Sequence, residues 1–219
     1  PEKVNLGVGV YLGEDGKLPL LRSVAVAEQR LAEAAAPKGY LPIDGMVAYR
    51  DAVRGLVFGA DAPVLADGRV VTAESLGGTG ALKIGADLAH HLAPEAKVLI
   101  SDPSWENHRA LFTRAGFAVD TYRYYDAEAK GIDAQGMLDD LRAAAPGTIV
   151  VLHACCHNPT GYDLSPAQWD AVIDVIRERD LVAFLDMAYQ GFGFGIAEDG
   201  AVIGKFVDAG LSFLLSTSY

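Results

Sequence analysis

At 219 residues the chain is long enough to bury a full core, and with 51% hydrophobic and 21% charged residues it is too apolar to remain disordered. Its 18 basic against 29 acidic residues give a net charge of -11, a field that repels phosphate backbones and anionic lipid, so neither nucleic acid nor a membrane surface is an expected partner. No apolar run reaches bilayer length, and "PEKVNLGVGV" lacks the basic start and cleavage site of a signal peptide. The only cysteines, Cys155 and Cys156, are adjacent and poorly placed for a disulfide. A cytoplasmic location is expected.

The first segment, glycine-rich at Gly7, Gly9, Gly13 and Gly16, is irregular. Apolar spacing then predicts a helix over Ser23–Ala35, stopped before Pro37, and a second over "VAYRDAVRGLVFG", closed by Gly59, with "GYLPIDGM" as the loop between them. From residue 69 the rhythm changes. "RVVTAES", "KVLIS", "TIVVLHA", "LVAFLD" and "LSFLL" each read as a short buried strand followed by a polar or glycine-rich turn, and helical segments follow most of those turns. Lys83 falls in a helix and Lys205 between strands. Such alternation predicts an α/β fold, a mostly parallel sheet with helices on both faces, whose ligands gather beyond the carboxyl ends of the strands.

Those strand ends carry the residues of interest. "GGTG" (Gly77–Gly80) opens a helix where free N–H groups favour an anion, although a ligand-free turn would look the same. Thr79 and Ser218 offer hydroxyls to such an anion, or cap their own turns. Asp186 ends an apolar run with no helix to cap, so its carboxylate needs a cation or a strong donor. Trp105, in the turn "DPSWEN", either covers the core edge or presents a flat face to a ligand. Asn158, before Pro159, holds a turn or binds a ligand oxygen. In "VVLHACCHNPTGYDLS" the spacing of His153, Cys155, Cys156 and His157 matches no usual tetrahedral metal set, so no metal is expected and the cysteines read as packing residues.

Together "NLGVGVY", "GYLPIDG", "GGTGALKIGADL", "SDPSWENH", "CCHNPTGYDL", "LDMAYQGFG" and "LLSTSY" resemble the aspartate and aromatic amino acid aminotransferases, pyridoxal-phosphate enzymes of fold type I, over essentially the whole chain. The resemblance implies transamination between an aromatic or dicarboxylic L-amino acid and a 2-oxo acid such as 2-oxoglutarate. It implies pyridoxal 5'-phosphate held by Asp186 at the pyridine nitrogen, Asn158 and Tyr189 at the phenolic oxygen, Trp105 on the ring face, and Gly78, Thr79 and Ser218 at the phosphate. It places His108 and His157 around Asp186 as orienting groups, and Gly9, with Trp105 and Asn158, at the substrate. Tyr40 would reach the phosphate of a neighbouring subunit, which implies a homodimer. Residues 1–20 would then belong with the small domain and the edge of the active site, and 21–219 with the cofactor-binding large domain.

The family also needs a lysine that bonds to the cofactor and moves the substrate proton, and it follows the "S-x-S-Y" motif. No lysine here has that context, so the expectation is a piece of a longer enzyme, inactive by itself, with the lysine just beyond Tyr219. Alternatives on the same scaffold are a lyase or synthase, or a binding homologue without catalysis. A nicotinamide-dependent dehydrogenase would leave Asp186, Asn158 and Trp105 unexplained.

Overall fold

The computed structural model describes residues 9–219, and the chain divides into two compact units between Leu41 and Pro42. Residues 5–8 of the first motif, and the start of the expected 1–20 segment, lie outside the described residues. Among its described residues the first unit carries one helix, α1 (Arg22–Ala34), which ends on Ala35 in the left-handed conformation with φ 41°.

In the second unit α2 (Val47–Phe58) ends on Gly59, whose φ of 88° is open to glycine and strained for other residues. The short α3 (Pro63–Ala66) and α4 (Gly77–Leu92) follow, then β1 (Lys97–Asp102), α5 (Glu106–Arg114) and β2 (Ala118–Arg123). A small antiparallel pair, β3 (Tyr125–Asp126) and β4 (Gly131–Ile132), leads to α6 (Ala134–Ala143). The chain continues through β5 (Ile149–His153), α7 (Pro166–Glu178), β6 (Val182–Met187), α8 (Ile196–Asp208) and β7 (Phe213–Thr217). A capping box starts α7: Ser165 Oγ accepts from the Gln168 N–H, and the Gln168 side chain accepts from the Ser165 N–H.

The main sheet has the order β2-β1-β5-β6-β7 and every pair in it is parallel. Strand order therefore reverses between β1 and β5, which opens a crevice beyond their carboxyl ends. Alternate residues feed two cores. Val150, Leu152, Ala183 and Leu185 pack with α6, α7 and α8, whereas Val98, Ile149, Val151 and Phe184 pack with α4 and α5. Phe112, Phe184 and Leu82 are almost completely buried on the second face, each contributing about 1.5–3 kcal/mol of burial.

One expectation changes. Residues 69–75, read from sequence as a strand, form no regular element, because among the described residues no strand pairs with them. Lys205 does lie between strands, within the helix α8 that joins β6 to β7; that helix stands behind a glycine-rich loop that hid its start in the sequence. Strand β2 escaped the sequence reading because it is an edge strand whose exposed positions are polar, leaving no continuous apolar run.

Candidate functional site

The parity that builds the second core also builds the site. Continuing past Val151, Phe184 and Leu214, the same face presents His153, Asp186 and Ser216, which stand in register across three neighbouring strands. Asp186 is 6% exposed, and a carboxylate there requires partners. His108, fully buried on α5, brings Nε2 to 2.8 Å from Asp186 Oδ2, and Ser104 Oγ lies 2.9 Å from His108 Nδ1. The other Asp186 oxygen makes no hydrogen bond among the described residues. Trp105, directly before α5, stands edge-on to the His108 ring, with centroids 5.4 Å apart at 89°.

His157 belongs to a separate, adjoining network. Its Nε2 lies 2.9 Å from Ser101 Oγ and its Nδ1 2.8 Å from Thr160 Oγ1, while Tyr124 stacks on its ring at 3.9 Å. The Asp163 carboxylate accepts from the N–H groups of Cys156 and His157, both at 2.8 Å, and so holds the loop that carries Asn158 and its cis bond to Pro159. His157 thus reaches Asp186 through rings rather than by a hydrogen bond: His153 lies between, 4.3 Å from His157 and 4.8 Å from His108. Burial first, then the nearby His108, pushes His157 down to about 4, and burial with both neighbours holds His153 well below the ordinary histidine range. Both nitrogens of His153 are buried and have no hydrogen-bond partner among the described residues.

Beyond β7 the first turn of α4 meets the end of the strand. Ser216 Oγ donates to the Gly78 carbonyl at 3.2 Å, and a Cβ on Gly78 would stand 3.1 Å from that of Ser218. A side chain at 78 would have to push the two segments apart by a few tenths of an ångström. The N–H groups of Gly78 and Thr79 make no backbone hydrogen bond, as first-turn donors do not, and are left for an anion. Tyr189 is exposed in the loop after β6. Its carbonyl accepts from Cys156 Sγ at 3.7 Å, and Asp199 fastens the loop that follows by accepting from the N–H groups of Gly191, Gly193 and Phe194.

Gly78, Thr79, Trp105, His108, Asn158, Asp186, Tyr189 and Ser218 therefore all sit at or just beyond strand ends of one sheet. Gly9 and Tyr40 are in the first unit. The sequence reading gave no role to Ser101, Ser104, Tyr124, Asp163 or Asp199. Of these, Asp163 alone had a signal, an aspartate closing the turn "NPTGYD". Burial raises both cysteine thiols, with Cys155 buried and Cys156 half-buried, so neither is poised as a nucleophile. Lys83 and Lys205 pair with Asp87 and Asp170 on helix surfaces.

A family model, aminotransferase class I and II, matches residues 1–219. The chain belongs to this family. Within it, the chain is 57% identical over its whole length to an aspartate aminotransferase of Pseudomonas aeruginosa and 50% identical to the aromatic-amino-acid aminotransferase of Escherichia coli, in each case covering 55% of the relative. The family's solved structures include an aromatic-amino-acid aminotransferase from Burkholderia pseudomallei, covalently bound to pyridoxal phosphate. It is 61% identical with a TM-score of 0.96, over 99% of this chain and 54% of that one. The chain thus spans about half the length of the relatives it matches. No helix among the described residues is long and apolar enough to cross a membrane.

Proposed function

We propose that this chain supplies the cofactor-binding part of a cytoplasmic, pyridoxal-phosphate-dependent aminotransferase that exchanges the amino group of aspartate or an aromatic amino acid with a 2-oxo acid such as 2-oxoglutarate. The observation that carries the reading is Asp186: a nearly buried carboxylate with one oxygen tied to His108 and the other without a protein partner. A protonated ring nitrogen satisfies such an oxygen, and the hydroxyls and free N–H groups around Gly78 suit the phosphate. When bound, the cofactor supplies an electron sink for the bond broken at the substrate α-carbon.

The chain's own residues do the rest. Asp186 would hold the protonated ring nitrogen, and the Ser104-His108 chain fixes the direction of that carboxylate. Trp105 offers the ring a flat apolar face, and Asn158 and Tyr189 offer donors to its phenolic oxygen. Gly78, Thr79 and Ser218 would hold the phosphate. The backbone of Gly9 would lie against the substrate carboxylate, and Tyr40 from a second copy would reach the phosphate, making the working form a homodimer.

Titration of the purified chain with pyridoxal phosphate, followed by quenching of tryptophan fluorescence, tests the reading. Asp186→Ala is expected to weaken binding tenfold or more, since it removes a charge-assisted partner worth about 1.5–3 kcal/mol. Equal affinity for the parent and variant chains would overturn the assignment.

A further inference from the structure

Cys155 and Cys156 are a chemically reactive pair that the proposed activity leaves unused. In an extended chain neighbouring side chains point to opposite sides, but Cys156 takes a left-handed φ of 49° just beyond the end of β5. The alternation breaks there. The two thiols come together with the carboxylate of Asp199, one ligand atom from each residue, all within 4.8 Å of one another. The histidines that flank the pair in sequence are not its partners in space: His157 is taken up by Ser101 and Thr160, and His153 stands between two rings. The third group comes instead from the first turn of α8, which no local spacing reveals.

Burial and support favour a ligand here. Cys155 and Asp199 are buried and Cys156 is half-buried, so the group is shielded from most water yet open on one side. Asp199 is fixed by the N–H groups of Gly191, Gly193 and Phe194, the kind of support that ligating carboxylates have. Cys156 Sγ donates to the Tyr189 carbonyl at 3.7 Å, a weak bond that costs little to lose. Two sulfurs held at about 2.3 Å by one tetrahedral ion stand roughly 3.8 Å apart, so small side-chain rotations close the set. We propose that Cys155, Cys156 and Asp199 form a site for one thiophilic divalent cation, zinc or cadmium in kind, held by two thiolates and one carboxylate. Each cation that binds displaces two thiol protons to solvent and forms two metal–sulfur bonds, with no change of oxidation state. The site is separate from that of the cofactor: the cysteines pack with the first core, whereas His153 and Asp186 continue the face of the second. Occupied, it ties the loop that carries Asn158 to the first turn of α8.

The site needs no cofactor, so its test is separate from that of the proposed activity. The purified, reduced chain is titrated with cadmium chloride without pyridoxal phosphate, and the thiolate-to-cadmium charge-transfer band in the ultraviolet is followed. The expected result is a band that saturates at one cation per chain, is reversed by zinc, and is untouched by excess magnesium, which prefers oxygen ligands. Cys156→Ser, which keeps the size of a half-buried side chain, is expected to weaken binding at least tenfold and to halve the band per bound ion, with urea unfolding of the metal-free chain unchanged. Asp199→Asn should keep the band per bound ion and lower the affinity about tenfold. Binding without the band would seat the cation at His108, His153 and Asp186, which offer no sulfur, and would overturn the proposal. So would the absence of binding, a full band in Cys156→Ser, unchanged affinity in Asp199→Asn, or saturation at half a cation per chain, which would place the ion between two copies.

Discussion

Two histidines in the site are neutral because of where they sit, and that has a consequence for stability. The His157 ring is met by Ser101, Thr160, the Tyr124 ring and the His153 ring, with His108 nearby, and none of these is an anion; the Asp163 carboxylate is engaged by the backbone N–H groups of Cys156 and His157. Its folded pKa of about 4 lies below the unfolded value near 6.5, so the unfolded chain binds the extra proton. The stabilisation is complete above pH 6.5 and falls by up to about 1.4 kcal/mol per pH unit between 6.5 and 4. Urea unfolding at pH 7.5 and 5 should show this loss, and His157→Gln should flatten the slope. Asp186 and Trp105 stand out in the sequence because each is a residue type out of place in its local pattern, whereas Asn158, ordinary before a proline in a turn, is singled out only by the family resemblance. His153 does not stand out, since its role comes from register with Asp186 and its position between two rings, neither of which a linear pattern contains.

The same distinction holds for whole elements. Runs buried on both faces, such as β5 and β6, announce themselves, as does a helix with a capping box such as α7. A polar edge strand, or a helix behind a glycine-rich loop, does not. Packing between elements gives a contrasting pair of predictions. A Cβ on Gly85 of α4 would fall 2.5 Å from Phe184 Cζ, so Gly85→Ala should force α4 off β6 and cost about 1–3 kcal/mol in urea unfolding. Gly55 of α2 has nothing within 4 Å, so Gly55→Ala should stabilise by up to about 1 kcal/mol in the same assay. At the loop after β6, Asp199 holds three N–H groups, and these bonds outweigh burial to keep its carboxyl below the usual range. Asp199→Ala strands those donors and should cost about 1–3 kcal/mol or more, with faster amide exchange confined first to residues 191–194.

For the molecule as a whole, a net charge of -11 opposes the approach of a phosphorylated ligand. Raising salt from 0.01 to 0.15 M shortens the screening length from about 30 to 8 Å, so the association rate of pyridoxal phosphate should rise rather than fall, as stopped-flow quenching would show. The reversal of strand order between β1 and β5 matters before any ligand arrives. On a ribosome, β1 emerges with β2 and can pair with it at once, but its other neighbour begins only at Ile149. Until then one edge of Val98–Ile100 has no partner, and the nascent chain carries an adhesive border while the next 46 residues, 103 to 148, are made. From β5 onward each new strand docks on the one just finished. The crevice that collects the site residues is thus also the seam along which an early-made half waits for a late one, and the interval in which a chaperone would find most to hold.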